Sequence, residues 1–315
     1  MKEKILKCLR EAEDYVSGQE LCQMFDVSRT AIWKVMNQLK EEGYVIDAVK
    51  NKGYRLVQTP DLVTAEEVES LLETSWAARP VVYEEEQAST NQTAKMLAEQ
   101  GASHGTLVVA ERQVSGRGRR GRPWHSPKGS GIWMSILLRP QIHPMSASML
   151  TLVAAMAVYD AISSRVEGCA IKWPNDIVID GRKVCGILTE MSSELDNINY
   201  VVIGIGINVN TDDFPEDIAS VAASMHVITG AYYKRAEIIA DTWKAFEKYY
   251  DLFVQTENLA LMVDAYNQRL VNMDRRVMIE ERGHRYEGTA RGIDAEGALL
   301  VERDDGTTTS VISGE

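Results

Sequence analysis

Apolar residues recur at helical spacing three times within the first sixty residues. Ile5, Leu6 and Leu9 predict one amphipathic helix. The segment SGQE at 17–20 is a capping box, in which a serine and a glutamate side chain satisfy each other's backbone N–H groups, and it predicts the start of a second helix. Ser28 precedes a third helix with an apolar residue every three or four positions. Two helices joined by a tight turn predict a helix-turn-helix.

The outer side of the third helix and the segment after it are polar and basic. A strand-like run follows Gly43 and turns at 51–53, which predicts a hairpin, or wing, suited to phosphate contact. Residues 1–60 hold ten Lys and Arg against nine Asp and Glu, whereas the whole chain has a net charge of -12, so this part lacks the acidity that repels DNA. A packing domain with a solvated charged face is the alternative. The candidate DNA-binding residues are Ser28, Arg29, Thr30, Trp33, Lys34, Asn37, Lys50, Lys52 and Arg55.

The middle of the chain alternates strand-like and helical patterns. A proline between polar residues at 59–61 predicts a linker, and the capping box from Thr64 to Glu67 predicts a helix from Ala65. Helical periodicity dominates 146–165 and 234–254. The strand-like runs are 81–83, 106–110, 132–138, 170–173, 184–188 and 200–209. This alternation predicts a mixed α/β domain built around one sheet.

The last part of the chain changes to short strands separated by glycines. The runs lie at 277–280, 285–293, 298–302 and 307–312. They predict a small SH3-like β-barrel. The chain therefore divides into three expected domains, at 1–60, 61–270 and 271–315, in a multidomain α/β (α+β) protein.

Composition narrows the class of protein. Hydrophobic residues make up 45% and charged residues 25%, as in soluble globular proteins. The sequence lacks an uninterrupted run of about 18 apolar residues and a secretory signal at its start, so we expect no membrane association. The four cysteines are scattered without a C-x-x-C pair, which favours reduced thiols in the cytoplasm, and the dispersed histidines predict no structural metal.

The segment GRGRRGRPW at 116–124 matches the dinucleotide pattern G-x-G-x-x-G. A dinucleotide site needs a helix at the last glycine, but the next residues, PWHSP at 123–127, do not continue a helix easily. Three interpretations remain: a nucleic-acid contact, a lid whose arginines clamp a small phosphorylated ligand, and a solvated basic loop. The glycines count against the solvated loop, because they let the backbone approach a ligand closely.

Six motifs in a fixed order supply a resemblance. They are Ser89-Thr90-Asn91, Gln113, GRGRRGRPW at 116–124, KWPND at 172–176, GRKVCGIL at 181–188 and GIGINVN at 204–210. In this order they resemble the bifunctional bacterial biotin protein ligases that are also biotin operon repressors. The resemblance covers the whole chain and implies a winged helix, a ligase domain related to class II synthetases and the small C-terminal barrel.

The resemblance implies a two-step reaction. Biotin and ATP, with Mg²⁺, give biotinoyl-5′-AMP, and a lysine of the biotin carboxyl carrier protein domain of acetyl-CoA or pyruvate carboxylase then takes the biotinoyl group. It also implies operator DNA as a partner and a homodimer promoted by biotinoyl-AMP. A ligand-sensing transcription factor without ligase activity and a lipoate or octanoate ligase are the alternatives. The intact Lys183 counts against the first, and the polar set at 89–91 against the second, because an acyl chain has no group to pair with it.

The resemblance also assigns roles to residues of this sequence. The expected catalytic residues are Lys183, Arg119 and Arg117. Biotin is expected to contact Ser89, Thr90, Asn91, Gln113, Arg117, Gly118, Arg119, Lys183 and Gly186. The nucleotide is expected to contact Arg119, Arg120, Arg122, Trp124, Asp176 and Asn208, with Asp176 also the candidate Mg²⁺ ligand. Some relatives place a tryptophan or arginine against adenine from a second loop, but the matching segment 211–224 has neither.

Overall fold

A computed structural model describes residues 1–194, 197–281, 284–312 and 314. The N-terminal domain is a winged helix-turn-helix. It contains α1 (Lys2–Glu11), α2 (Gly18–Phe25), α3 (Arg29–Glu41), β1 (Val45–Val49) and β2 (Gly53–Gln58). Both predicted helix caps are present, since Ser17 and Glu20 form the capping box and the Ser28 hydroxyl accepts from Ala31 N at 3.2 Å.

The wing is held to the helices by backbone pairing. Strands β1 and β2 pair antiparallel, and Val16 adds an isolated bridge to Tyr54. Gly53 has φ of +122°, and a Cβ there would lie 2.1 Å from the Val16 carbonyl oxygen, so only glycine fits this turn. The predicted hairpin is confirmed.

The central domain is one seven-stranded sheet with helices on both faces. Its strands are β3 (Val81–Gln87), β4 (Leu107–Gln113), β5 (Gly131–Leu138), β6 (Cys169–Lys172), β7 (Asp176–Ile179), β8 (Arg182–Glu194) and β9 (Asn197–Asn208). Its helices are α4 (Ala65–Leu71), α5 (Thr90–Glu99), α6 (Leu150–Ser163), α7 (Met225–Thr229), α8 (Arg235–Thr256) and α9 (Val263–Asn267). The sheet order is β3-β4-β5-β9-β8-β7-β6, parallel between β3 and β4 and antiparallel elsewhere.

The helix α6 is the core helix of this domain. Together with the turn before it, the stretch Pro144–Ser163 is long and apolar enough to cross a membrane by composition, although no uninterrupted apolar run marks it in the sequence. Most of that stretch is buried in the protein, where α6 packs against α8 and the sheet. The apolar residues of α6 therefore form part of the buried core of this domain.

The C-terminal domain contains β10 (Arg276–Glu281), β11 (His284–Ile293), β12 (Leu299–Glu302) and β13 (Thr308–Val311). All four expected strands are present and pair antiparallel in chain order. Within the described ranges the pairings form an open sheet, without the β10–β13 ladder that would close a barrel. Ala290, Leu299 and Val301 belong to the same buried cluster as the central sheet, so this domain packs directly on the ligase domain.

Candidate active site

A cavity of about 660 Å³ opens beside the glycine-rich middle of β8 and β9. It brings together nearly all residues that the motifs single out for ligand binding. The predicted residues that line it are Ser89, Thr90, Asn91, Gln113, Arg117, Gly118, Arg119, Arg122, Trp124, Asp176, Lys183, Gly186 and Asn208. The remaining one, Arg120, is exposed and lies outside this lining.

One end of the cavity is a polar cluster at the start of α5. The backbone N and the Oγ1 of Thr90 both donate to Gln113 Oε1, at 2.9 and 3.1 Å, and Gln113 Nε2 donates to Ser126 Oγ at 3.0 Å. Ser135 Oγ, which is fully buried, lies 2.7 Å from Thr90 Oγ1 and 2.6 Å from Asn91 Oδ1. The sequence analysis missed Ser135, a polar position within the otherwise apolar β5.

A carboxylate on β8 fixes the amide of Asn91. Asn91 Nδ2 donates to Glu190 Oε2 at 2.7 Å, and Lys95 Nζ lies 2.5 Å from Glu190 Oε1. Burial alone would raise the pKa of Glu190, but the hydrogen bonds from Lys95 and Asn91 lower it. The sequence motifs did not identify Glu190 either. In the sequence it stands out only as an acidic residue close after the apolar Ile187 and Leu188.

The floor of the cavity is a pair of glycines covered by an indole. Gly186 of β8 pairs with Gly206 of β9. A Cβ on Gly186 would lie 2.8 Å from the ring of Trp124, and one on Gly206 would lie 2.5 Å from its Nε1. That nitrogen is buried and has no hydrogen-bond partner among the described residues. Gly186, which was expected to contact biotin, is therefore in contact with Trp124 itself, as is Gly206 beside it.

The candidate catalytic lysine is paired with a carboxylate. Lys183 Nζ lies 2.7 Å from Asp176 Oδ1 and 5.4 Å from the centre of the Trp124 ring. Asn175 Nδ2 donates to the same Asp176 oxygen at 3.1 Å, and Arg119 Nη1 donates to Asn175 Oδ1 at 2.8 Å. The turn in KWPND thereby links the arginine loop to Lys183.

The second loop closes the other side of the cavity. Lys183 N donates to Val221 O at 2.8 Å, so this segment pairs with the first residues of β8. Phe214 and Ile218 of the loop line the cavity. This segment lacks the tryptophan or arginine that some relatives have, but Phe214, which the motifs did not identify, supplies an aromatic side chain. Asn208, at the end of β9, donates from Nδ2 to Ala223 O at 3.2 Å.

The winged helix presents its candidate residues to solvent. Trp33 is 58% exposed, and of the nine candidate DNA-binding residues only Asn37 is partly buried. Lys52 and Arg55 lie over the ring of Tyr15, at 5.6 and 4.8 Å from its centre. Tyr15 is also bonded to Asp47 of the wing. Eight of the nine residues are therefore exposed, and their contact with DNA stays a prediction.

A winged helix-turn-helix joined to an arginine-lidded cavity with a lysine–carboxylate pair defines a DNA-binding protein with a ligase-type active site. Models of three families match the chain: an HTH domain at 2–55, the biotin/lipoate A/B protein ligase family at 83–208 and the biotin protein ligase C-terminal domain at 273–315.

Two curated relatives match nearly the full length of this chain, and a solved ligase structure matches three quarters of it. The "Bifunctional ligase/repressor BirA" of Bacillus spizizenii is 42% identical over 93% of this chain and 91% of its own length. The protein of the same name from Escherichia coli is 29% identical over 96% of this chain and 92% of its own length. The biotin protein ligase of Aquifex aeolicus in complex with biotin and ATP is 29% identical, with a TM-score of 0.65 over 75% of this chain and 96% of that chain.

The chain belongs to the biotin/lipoate A/B protein ligase family and, within it, to the bifunctional ligase/repressors. The resemblance given by the six motifs is confirmed. So are its consequences for fold and class: an ATP-dependent biotin protein ligase, with biotin and ATP as substrates, that carries the DNA-binding domain of a repressor.

Proposed function

We propose that this protein forms biotinoyl-5′-AMP at the cavity and transfers the biotinoyl group to a lysine of a biotin carboxyl carrier protein domain, in acetyl-CoA or pyruvate carboxylase. We further propose that the adenylate-loaded protein dimerises and binds operator DNA in the cytoplasm. The observation that carries the proposal is the Lys183–Asp176 pair, 2.7 Å apart in a cavity lined by three arginines of the lid.

The first step joins two anions, and the cavity supplies the cations. An oxygen of the biotin carboxylate bonds to the α-phosphorus of ATP, the bond from that phosphorus to the bridging oxygen breaks, and pyrophosphate leaves with the electron pair. Lys183 exchanges Asp176 for the carboxylate and the α-phosphate, while Arg117 and Arg119 neutralise charge from the lid. Holding both reactants in one cavity lowers the entropic barrier to attack.

Biotin binds at the polar cluster. Ser89, Thr90, Asn91 and Gln113 offer donors and acceptors to the ureido ring at one end of the cavity. The bonds from Thr90 to Gln113 and from Asn91 to Glu190 hold two of these side chains in place before the ligand arrives. Gly118 and Gly186 let the ligand approach the backbone.

The nucleotide lies on the side of Trp124 and the second loop. Arg119 and Arg122 face its phosphates, Asn208 lies at the end of β9, and Trp124 and Phe214 supply aromatic faces for adenine. We propose that Arg120, which is exposed, contacts the phosphates of ATP as the nucleotide enters from solvent.

We assign Mg²⁺ to Asp176, which lines the cavity beside Lys183. The described residues contain no cluster of three His, Cys, Asp or Glu side chains, and one oxygen of Asp176 already accepts from Lys183 and Asn175. This fits an ion held mainly by the phosphates of ATP, the usual arrangement for Mg²⁺. When bound, the ion supplies positive charge to the phosphates.

In the second step an ε-amino group attacks the carbonyl carbon of the mixed anhydride. The amide bond forms, the bond to the phosphate oxygen breaks, AMP leaves and the amine loses a proton. The arginine lid keeps water from the anhydride until the carrier domain arrives. The four free cysteines suit a reducing cytoplasm, and the buried position of α6 favours a protein without a membrane partner.

The homodimer is supported by an open strand edge. Strand β7 pairs with β8 only as far as Gly186. Beyond that point, residues 188–194 of β8 pair with β9 on one side, and no strand among the described residues pairs with their other side. Such an edge can pair with a second chain. A twofold dimer places two winged helices on two operator half-sites.

Biotin-dependent exchange of pyrophosphate into ATP tests the ligase proposal. Exchange with biotin and none with lipoate supports it. Exchange with lipoate alone would select a lipoate ligase, and no exchange would select a sensor. Biotin with ATP should also raise affinity for the operator, and unchanged affinity would contradict the repressor role.

A further inference from the structure

Arg235 lies at a junction between both ligand loops and the linker that carries the winged helix. We propose that Arg235 is a positioning residue that transmits the closure of these loops to the linker. The ligand loops are residues 114–130 and 211–224, and the linker is residues 59–61. The inference rests on the proposed function, because the ligand that closes the loops is biotinoyl-AMP.

Arg235 is buried with every N–H of its guanidinium paired. It is 1% exposed, at the start of α8. Its Nε donates to Asp61 Oδ2 at 2.8 Å, Nη1 to Glu111 Oε2 at 2.8 Å and to Gly131 O at 3.2 Å, and Nη2 to Glu111 Oε1 at 3.2 Å and to Asp61 O at 3.0 Å. These bonds use all five donors of the group. Since apolar side chains can fill such a volume at no electrostatic cost, packing alone does not explain a buried ion network.

The network fixes the end of the first ligand loop. Glu111, at 6% exposure, accepts from Gly129 N at 3.1 Å through the oxygen that also binds Arg235 Nη1. The carbonyl oxygen of Gly131, where β5 begins, also accepts from Arg235 Nη1. The last residues of the loop that carries the arginines and Trp124 are therefore held on both sides by Arg235 and its partner.

The start of the second ligand loop is fixed at the same place. Asn210 N donates to Ser130 O at 2.6 Å, and Ser130 Oγ lies 3.2 Å from Thr211 Oγ1. Asn210 Nδ2 donates to Tyr233 O at 2.9 Å and reaches Asp61 Oδ2 at 3.4 Å. The two loops thus share a base, and that base is in contact with Asp61.

Asp61 connects this base to the DNA-binding domain. Its Oδ1 accepts from Arg235 N at 2.9 Å, and Lys234 Nζ is bonded to the carbonyl of Thr59. The linker has little freedom while the junction is intact. Closure of the loops on the adenylate stabilises their shared base, and the stabilised junction immobilises the linker and the winged helix that it carries.

Hydrogen–deuterium exchange of the full-length protein, with and without biotin and ATP, tests the coupling. In the wild type, both ligand loops and residues 57–63 should exchange more slowly when both substrates are added. In Asp61→Asn the loops should still gain protection, whereas the protection gained by the linker should fall by about tenfold, because an ion pair is lost from a partly exposed side chain.

Two further variants separate coupling from general stability. Glu111→Gln loosens the loop base, so it should raise the KM for ATP by about tenfold with a smaller change in kcat and should also abolish linker protection. Glu73→Gln is the matched control, since Glu73 pairs with Lys244 of the same helix α8 at the surface. It should change neither readout.

The outcomes are distinguishable. Loop protection without linker protection in the wild type, or undiminished linker protection in Asp61→Asn, would overturn the coupling and leave the ligase intact. No loop protection in the wild type would overturn the proposed function and the coupling with it.

Discussion

At the scale of single residues, the site depends on a few paired charges, above all Lys183 and Asp176. The Lys183–Asp176 pair keeps an ammonium in place before any substrate is present. Sequence motifs identified both residues. They did not identify Ser135, Glu190 or Phe214. Ser135 and Glu190 reach Asn91 only through the pairing of distant strands, and Phe214 reaches the cavity only through the path of the second loop.

Replacing Lys183 tests the central charge. Lys183→Met removes the cation and keeps the length of the side chain, so formation of biotinoyl-AMP should fall by at least about 100-fold, because the two anions lose their shared partner. Pyrophosphate exchange measures the rate, and circular dichroism checks that the fold is kept. The control is Lys244→Met, since Lys244 pairs with Glu73 at the surface, away from both ligand loops. Full exchange in the Lys183 variant would show that another group neutralises the reactants.

At the scale of elements, periodicity predicted the long helices and most strands. The helix expected at 234–254 is α8, and the strand expected at 132–138 is β5. Four elements of the central domain were not predicted. Strand β7 has four residues and the helices α7 and α9 have five each, which is too short for a periodic pattern. Helix α5 begins with polar residues whose burial comes from contact with β5 and β9, which the local sequence does not show.

The recognition helix α3 gives a prediction of its own. Lys34→Ala should weaken binding to duplex DNA at every sequence and lower the slope of log affinity against log salt by about 1, because one phosphate contact is lost. A salt titration by fluorescence anisotropy measures both. Lys40, exposed in the last turn of the same helix, is the matched control. Equal effects of the two substitutions would place α3 differently on DNA.

Helix α8 also stabilises the turn between α4 and β3, in a way that depends on pH. Glu247 accepts from the backbone N–H groups of Ser75, Trp76 and Ala77. Partial burial opposes its charge, but these bonds lower the pKa of Glu247 below its ordinary value of 4.5. A lowered pKa stabilises the fold above pH 4.5, and the contribution is lost as pH falls below that value.

Urea unfolding at pH 7 and at pH 4 should reveal this contribution. Glu247→Gln should be less stable than the wild type at pH 7, and the difference should shrink at pH 4. A difference that is the same at both pH values would assign the effect to packing. Glu237→Gln, on the exposed side of α8, serves as the control.

At the scale of the whole molecule, the domains occupy separate parts of the sequence but pack against each other. Helix α1 packs on α4, and Glu67 of α4, at 3% exposure, lies 2.5 Å from both Arg10 Nη2 and the hydroxyl of Tyr44. The boundary expected at residue 60 is thus spanned by an ion pair whose carboxylate is buried. A linear sequence marks linkers by composition and cannot show which surfaces meet across them.

Breaking this pair should loosen the winged helix. Arg10→Met leaves a buried carboxylate without its cation and should lower the free energy of unfolding by about 3 kcal/mol. The double variant Arg10→Met/Glu67→Gln removes both charges and keeps an acceptor for the Tyr44 hydroxyl, so it should recover most of that loss. Urea unfolding followed by circular dichroism measures each. An unstable double variant would mean that shape, and not charge, joins the domains.

The indole that lies on the Gly186–Gly206 strip has a kinetic consequence. A ligand that needs this strip cannot enter while the ring is there, so its arrival waits on a motion of the protein. The observed rate of association should then rise with ligand concentration and level off at the rate at which Trp124 swings away, however tightly the ligand finally binds.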